Sequence, residues 1–344
     1  MVITEALERA TRRECIGYEA ARAVMDEIMS GAASDIQMAA YLTAMAVKGE
    51  TIEEITGSAA GMRAHCVRLL HDMDVLEVVG TGGDMAFTFN ISSTSSLVIS
   101  AAGTPVAKHG NRAATSRCGA ADLFEELGVN ILAPPERSLA VLKEIGLCFL
   151  FAQNYHIAMR YVAPVRRELK IRTMFNILGP LVNPAGARRE LLGVYEEDLV
   201  EPLAHVLAKL GVSDALVVHG HDGIDELSLS APTTVCEARD GTFKSYVITP
   251  EDLGLARCKK SDLAGGSPQE NATITRAVLA GERGAQRDAV VLNSAAALYV
   301  AHPEIPLADC ARMAEQTIDS GAAMRQLERF IALSHKQGEG EGRP

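Results

Sequence analysis

Hydrophobic positions along the chain follow two different rhythms. Residues 18–29 place Ala21, Val24, Met25, Ile28 and Met29 three and four apart, the spacing of one apolar face on an amphipathic helix. Ser34-Asp35-Ile36-Gln37 and Thr51-Ile52-Glu53-Glu54 each fit the capping-box pattern and mark two more helix starts. Small residues crowd positions 39–46, which permits close helix packing. Residues 1–72 read as helices only.

From residue 75 the rhythm changes. Val75-Leu76-Glu77-Val78-Val79 is a short apolar run bounded by glycine, the pattern of a buried strand, and 105–107, 148–152, 191–194 and 215–218 read the same way. Helices alternate with these runs. One over 120–128 ends at Gly128, and one over 199–210 is stopped by Gly211. Another, over 136–145, follows Pro134 and Pro135, neither of which is tolerated in a helix interior. Beyond residue 230 strands and turns give way to helices, chiefly 288–300 and 308–324. The polar, glycine-rich residues 335–344 read as a flexible tail.

The pattern predicts an α/β protein in two unequal parts. A small helical domain covers 1–72, with 164–178 returning to it. A larger α/β domain covers 73–163 and 179–334, built on a central, mainly parallel sheet.

Composition narrows the function classes. A formal charge of −11 argues against a nucleic-acid surface and against an anionic membrane. No apolar run approaches membrane-spanning length and no signal peptide opens the chain. Seven cysteines are scattered without any C-x-x-C, so reduced thiols in the cytoplasm are the expectation.

The candidate chemistry gathers after the first strand. Gly80-Thr81-Gly82-Gly83-Asp84 lets the backbone turn sharply and expose N–H groups, a way to hold phosphate. Asn90-Ile91-Ser92-Ser93-Thr94-Ser95-Ser96 then sets hydroxyls ahead of an apolar helical segment over 97–102, where they can cap it. The second strand delivers Lys108-His109-Gly110-Asn111-Arg112 and a loop of small residues through Gly119. Neither G-x-G-x-x-G nor G-x-x-x-x-G-K-[ST] occurs, so dinucleotide and P-loop readings are weak. Two strand–loop–helix units of this kind suggest a ligand carrying more than one phosphate. Further on, Asp225-Glu226 lies in a glycine-rich loop beyond a buried strand. In extended backbone the two side chains would point apart, which suits two Mg²⁺ ions better than one chelate.

These motifs, in this order, closely resemble those of the anthranilate phosphoribosyltransferase family. The resemblance runs from about residue 15 to residue 332 and includes Val165-Arg166-Arg167-Glu168-Leu169 and the stretch from Phe175 to Pro184. It implies the nucleoside phosphorylase/phosphoribosyltransferase-like fold, a homodimer formed through the helical domain, and transfer of phosphoribose from PRPP to anthranilate in tryptophan biosynthesis. The implied PRPP-binding residues are Gly80, Gly83, Asp84, Thr88, Asn90, Ile91, Ser92, Ser93, Lys108, His109, Gly110, Asn111, Arg112, Ala113, Ala114, Thr115, Ser116 and Ala120. Gly80, Asn111 and Arg166 are implied to border anthranilate, with Arg166 at the domain interface contacting its carboxylate. Ser92, Asp225 and Glu226 are the implied ligands of Mg²⁺, taken as two ions. His109 is a candidate proton acceptor, with an equal case for simply shaping its loop.

The chain departs from the family where Tyr155 replaces the first of two histidines, where Ser93 stands for Thr, and where Ala120 stands for a Ser of some relatives. Tyr155 is expected to line the acceptor pocket and His156 to be structural. A catalytically silent PRPP-binding regulator and a pentosyltransferase with another acceptor, or a nucleoside phosphorylase, are the alternatives.

Overall fold

A computed structural model describes residues 2–113 and 116–336, and both capping boxes form in it. The Ser34 N–H donates to Gln37 Oε1 at 3.0 Å, and the Thr51 N–H donates to Glu54 Oε2 at 2.8 Å. They open α3 (Asp35–Lys48) and α4 (Ile52–Ala64), which bundle with α1 (Val2–Thr11) and α2 (Gly17–Met29). A close approach lies between α2 and α4, where a Cβ on Gly57 would sit 2.3 Å from the Tyr18 carbonyl oxygen. Ala39, Ala40, Ala44 and Ala46 instead stay partly exposed on α3.

Glu54 ties the bundle together. Fully buried, it caps α4, accepts from the Ile16 N–H at 2.8 Å and pairs at 2.7 Å with Lys48, whose side chain is 4% exposed. Burial alone would raise its pKa; the hydrogen bonds from Lys48, Thr51 and Ile16 outweigh that and hold it below the ordinary glutamate value.

The rest of the chain winds a seven-stranded sheet in the order β3-β2-β1-β4-β5-β6-β7. In sequence the elements are β1 (Leu76–Gly80), α5 (Ile91–Ala101), β2 (Val106–Gly110), α6 (Ala120–Glu126), α7 (Pro135–Ile145), β3 (Leu147–Phe151) and α8 (Ala152–Tyr155). Then come α9 (Ala163–Leu169), α10 (Phe175–Leu178), β4 (Arg189–Gly193), α11 (Val200–Lys209) and β5 (Asp214–Gly220). The chain finishes with β6 (Thr233–Arg239), β7 (Thr242–Ile248), α12 (Pro268–Leu279), α13 (Ala285–Ala301), α14 (Leu307–Asp319) and α15 (Ala322–Ser334). Strands β1 to β5 are parallel; β6 and β7 add an antiparallel edge.

Alternation along the strands fills two faces. Leu76, Val78, Val106, Leu147, Phe149, Leu191, Leu216 and Val218 point into one core with α5 and α12 to α15. Leu192, Ala215, Val217 and Cys236 point into a second core that continues into the bundle and includes Val165, Met174, Phe175 and Ile177. A small helical part and a larger α/β part with a mainly parallel sheet are thus what the chain folds into. No helix among the described residues is long and apolar enough to cross a membrane.

Four local expectations change. The hydroxyl residues 92–96 lie inside α5 rather than before it, because Asn90 takes the N-cap position without a side-chain cap bond. Strand β2 runs on through Gly110, so Lys108 and His109 are in the sheet. The helix expected over 308–324 breaks at Ser320-Gly321, where Gly321 adopts φ 73° between α14 and α15. His335, read as part of the tail, contacts the Gly128 carbonyl at 2.9 Å; residues 337–344 lie outside the described residues.

Glu54→Gln should cost about 3 kcal/mol, because it strands the buried Lys48 ammonium. Urea denaturation at neutral pH measures this directly. The wild-type contribution is complete above the unfolded glutamate pKa, about 4.3, and is lost as pH falls through the lower folded value. The deficit of the variant should therefore shrink on acidification.

Candidate active site

From β1 the chain moves outward to β2 and β3, then returns on the other side of β1 at β4. The carboxyl ends of β1 and β4 mark that reversal, the position where open α/β sheets hold ligands. A cavity of about 820 Å³ opens there, walled on one side by strand ends and on the other by α4 and the α8–α10 segment.

Glycine makes the floor possible. The loop carrying Asp225 and Glu226 crosses directly over the ends of β1 and β4. A Cβ on Gly80 would lie 2.3 Å from Asp225 Oδ2, and one on Gly193 would lie 1.6 Å from the Asp225 carbonyl oxygen. The Thr81 N–H donates to the Gly193 carbonyl at 2.9 Å, joining the two strand ends. Gly82 and Gly83 then turn with φ of 68° and 75°.

Three carboxylates meet above this floor. Asp225 Oδ2 accepts from the Gly82 N–H at 2.6 Å, while Glu226 Oε1 accepts from the Ser92 N–H at 3.2 Å, at the start of α5. Asp84 Oδ1 accepts from the Ala86 N–H at 3.2 Å. Burial, and then repulsion from Asp84 and Glu226, drives the Asp225 pKa well above the ordinary aspartate value. Burial likewise pushes Glu226 up to about 7, with Lys108 and Ser92 pulling the other way. Crowded negative charge of this kind calls for a cation. The donors are hard oxygens, as Mg²⁺ requires, but among the described residues no group of three or more His, Cys, Asp or Glu is placed to hold a metal ion by itself. Such an incomplete set suits Mg²⁺, which commonly takes its other ligands from water and substrate phosphate.

The hydroxyls of α5 divide their work. Thr94 and Ser96 spend theirs on packing, Thr94 meeting Thr275 at 2.9 Å and Ser96 donating to the Ser93 carbonyl at 2.6 Å. Ser92 and Ser93 line the cavity at the positive end of the helix.

The second phosphate-friendly loop is more committed than its sequence suggests. Lys108 is buried, and its ammonium donates to the Val78 carbonyl at 2.6 Å. Burial lowers its pKa, and Glu77, Glu226 and Asp225 oppose that. Arg112 reaches the cavity rim, but its guanidinium holds Asp122 at 2.9 Å and Glu125 at 2.7 Å. Asp122 also accepts from the Ala113 and Gly119 N–H groups, folding the loop back onto α6.

Helical residues form the opposite wall. Arg166 of α9 is half-buried over the Phe175 ring at 5.3 Å, and no ion pair to it occurs among the described residues. His109 and His156 face each other with ring centroids 5.0 Å apart. Burial pushes the His109 pKa well below 6.5, with His156 and Lys108 adding to the effect; burial takes His156 to about 4. Both rings are therefore neutral at neutral pH. His109 contacts the Gly179 backbone and His156 the Val182 backbone, and in each ring Nε2 is the buried nitrogen without a partner. The tautomer with its proton on Nδ1 would satisfy the backbone partner and leave Nε2 its lone pair. Tyr155 points elsewhere, into a small core with Leu69, Leu142, Cys148 and Leu150, because α8 turns consecutive side chains apart. Tyr155 thus lies away from the cavity it was expected to line, and His156 lines that cavity instead.

Gly80, Gly83, Asp84, Thr88, Asn90, Ile91, Ser92, Ser93, Lys108, His109, Gly110, Asn111, Arg112, Ala113, Ser116, Ala120, Arg166, Asp225 and Glu226 all line the one cavity. Ala114 and Thr115 lie outside the described residues. Sequence reasoning missed the apolar lining, including Met62, Met159, Phe175 and Pro180. It also missed Met85 and Phe87, exposed at the cavity with φ of 58° and 55°. That region costs L-residues roughly 1 kcal/mol each. Two bulky apolar residues beside a glycine loop were the available signal.

Known proteins resemble the whole chain. The descriptions "Glycosyl transferase family, helical bundle domain" and "Glycosyl transferase family, a/b domain" match residues 4–66 and 72–324. The anthranilate phosphoribosyltransferase of Lachnoclostridium phytofermentans is 61% identical over 336 residues, 98% of this chain and 100% of the relative. The crystal structure of the enzyme so named from Thermus thermophilus superposes with a TM-score of 0.91 at 44% identity, covering 96% of this chain and 99% of that one. The Saccharomyces cerevisiae enzyme in complex with PRPP and Mg gives 0.89 at 28% identity, covering 96% and 97%.

Were Glu226 to hold a cation, a proton on it would compete, and Mg²⁺ affinity should rise between about pH 6 and pH 8, with proton release on binding. Calorimetric titration in buffers of different ionisation enthalpy measures both. Glu226→Gln should flatten the pH dependence and abolish most of the proton release.

Proposed function

The chain belongs to the anthranilate phosphoribosyltransferase family, and we propose that its cavity carries out the family's reaction through the residues assigned here. The reaction transfers the 5-phosphoribosyl group of PRPP to anthranilate, giving N-(5-phosphoribosyl)anthranilate and pyrophosphate, in tryptophan biosynthesis.

PRPP takes the wall of strand ends. Its phosphates meet the turn at Gly80 and Gly83, the N-terminus of α5 with Asn90, Ile91, Ser92 and Ser93, and the loop from Gly110 to Ser116; Thr88 and Ala120 border it. Ser92, Asp225 and Glu226 hold Mg²⁺, which neutralises the pyrophosphate leaving group. Two ions fit better than one, since Asp225 turns toward Gly82 and Glu226 toward Ser92. Asp84, between them, is left for the ribose hydroxyls or a metal-bound water. Lys108 acts through its field: an ammonium buried among carboxylates stiffens the site more than it grips phosphate.

Anthranilate takes the helical wall beside Gly80 and Asn111. The observation that carries this reading is Arg166, a half-buried guanidinium without a carboxylate partner in a cavity otherwise rich in acids. Its planar fork matches the anthranilate carboxylate, and Phe175, Met159 and Pro180 give the ring an apolar bed. Departure of pyrophosphate leaves positive charge at the ribose C1, as in glycoside cleavage. The arylamine attacks without prior deprotonation, so positioning and leaving-group stabilisation supply the rate. Neutral His109 and His156 offer lone pairs to the amine N–H groups. After attack the amine is strongly acidic, so even a weakly basic His109 can take its proton.

The dimer and the compartment belong to the same proposal. Ile36 (81% exposed) and Val47 (69% exposed) share one face of α3 with half-exposed Ala40 and Thr43, an apolar stripe at helical spacing. A second copy of the chain through this helical domain would cover it. Seven free thiols suit the reducing cytoplasm.

Loss of anthranilate fluorescence on adding PRPP and Mg²⁺ tests the reaction. Arg166→Ala should raise the anthranilate KM at least about tenfold while the PRPP KM stays within about twofold. Equal effects on both would remove the carboxylate assignment. Separately, Ile36→Asp with Val47→Asp should turn a dimer into a monomer in analytical ultracentrifugation; an unchanged mass would move the interface elsewhere.

A further inference from the structure

Asn183 makes no contact with the cavity, yet it sits where the acceptor wall is fixed. It is 5% exposed and uses every polar atom of its amide. Nδ2 donates to the Glu77 carboxylate and to the Ala107 carbonyl at 2.8 Å, and Oδ1 accepts from the Ala185 N–H at 2.8 Å. Glu77, wholly buried on β1, accepts the His109 main-chain N–H with both oxygens at 3.1 Å. One amide therefore fastens the connector over residues 179–185 to the first two strands. That connector supplies the backbone partners of both imidazoles, Gly179 for His109 and Val182 for His156.

The consequence for His109 is specific. Its main chain is held by Glu77 and its ring by Gly179, and Asn183 sets the distance between those two supports. Arg63 donates to the Leu181 carbonyl at 2.7 Å, and the Leu69 N–H donates to the Pro184 carbonyl at 3.0 Å. These bonds steady the connector from the bundle side, but neither reaches the strands that carry His109. We propose that Asn183 is a positioning residue for the acceptor, acting through the connector to aim the Nε2 lone pairs of His109 and His156 at the anthranilate amine. This rests on the reading that the two imidazoles face anthranilate.

The test compares wild type, Asn183→Ala, Asn183→Ser, His109→Ala and the Asn183→Ala/His109→Ala double variant, all with PRPP and Mg²⁺ present. Asn183→Ala should raise the anthranilate KM about tenfold with the PRPP KM within about twofold, Asn183→Ser should show the same split, and in the His109→Ala background the Asn183 substitution should add less than about twofold. A residue that only stabilises the fold would lower the melting temperature without that split. Equal rises in both KM values, or the same rise with and without His109, would overturn the proposal. If His109→Ala alone leaves the anthranilate KM unchanged, the reading of the acceptor wall fails first and takes the proposal with it. Should the Asn183 variants not fold, ¹⁵N resonances of the wild-type imidazoles decide: neutral Nδ1–H tautomers at both positions support the proposal, and an Nε2–H tautomer at either one overturns it.

Discussion

Every feature of the cavity depends on a backbone crossing that tolerates no side chain beneath it. The loop with Asp225 and Glu226 lies across the ends of β1 and β4, and it can do so only because Gly80 and Gly193 lack a Cβ. That crossing brings Asp225 to the Gly82 N–H and Glu226 to the start of α5, although the two residues are 143 and 134 positions from their partners in sequence. The sheet reversal supplies the place. The glycines let the Asp225-Glu226 loop occupy it.

Charge is handled locally rather than globally. A protein with a formal charge of −11 must accept a polyphosphate, and it adds acids to the very site that does so. Asp84, Asp225 and Glu226 raise one another's cost of ionisation, which a divalent cation relieves. The cations present are mostly spoken for: Lys108 among buried carboxylates, Arg112 by Asp122 and Glu125. Arg160 and Arg166, on the helical wall, make no ion pair among the described residues, and of the two only Arg166 is half-buried. The same economy appears in the bundle, where Lys48 and Glu54 are buried only as a pair.

Shape is divided between rigid and strained parts. The helical wall of the cavity hangs from strands, helices and the 179–185 connector, all hydrogen-bonded to their neighbours. The Met85–Phe87 turn is held in left-handed backbone by the Gly265 N–H on the Phe87 carbonyl, 2.9 Å away, and by the bridge between Thr88 and Ala264. Strain of that kind persists only where surrounding structure over-determines it.

Local chemistry made much of this legible from the chain alone. Capping boxes, glycine stops and short apolar runs need only neighbours in sequence, so the bundle, the parallel strands and the loops after β1, β2 and β5 could be read directly. The candidate site residues sit in contiguous motifs, and every described one of them lines the cavity. What the sequence left undetermined involves partners far along the chain. Whether Lys108 grips phosphate or lies buried depends on where β2 ends and on Glu77 and Glu226. Whether Tyr155 or His156 faces the cavity depends on a single turn of α8. Asn183 looked like part of a turn, and only its contact with Glu77, 106 residues away, ties it to His109. Sequence spacing encodes which groups are available; packing decides which way each one points, because direction follows from long-range contacts that no local pattern records.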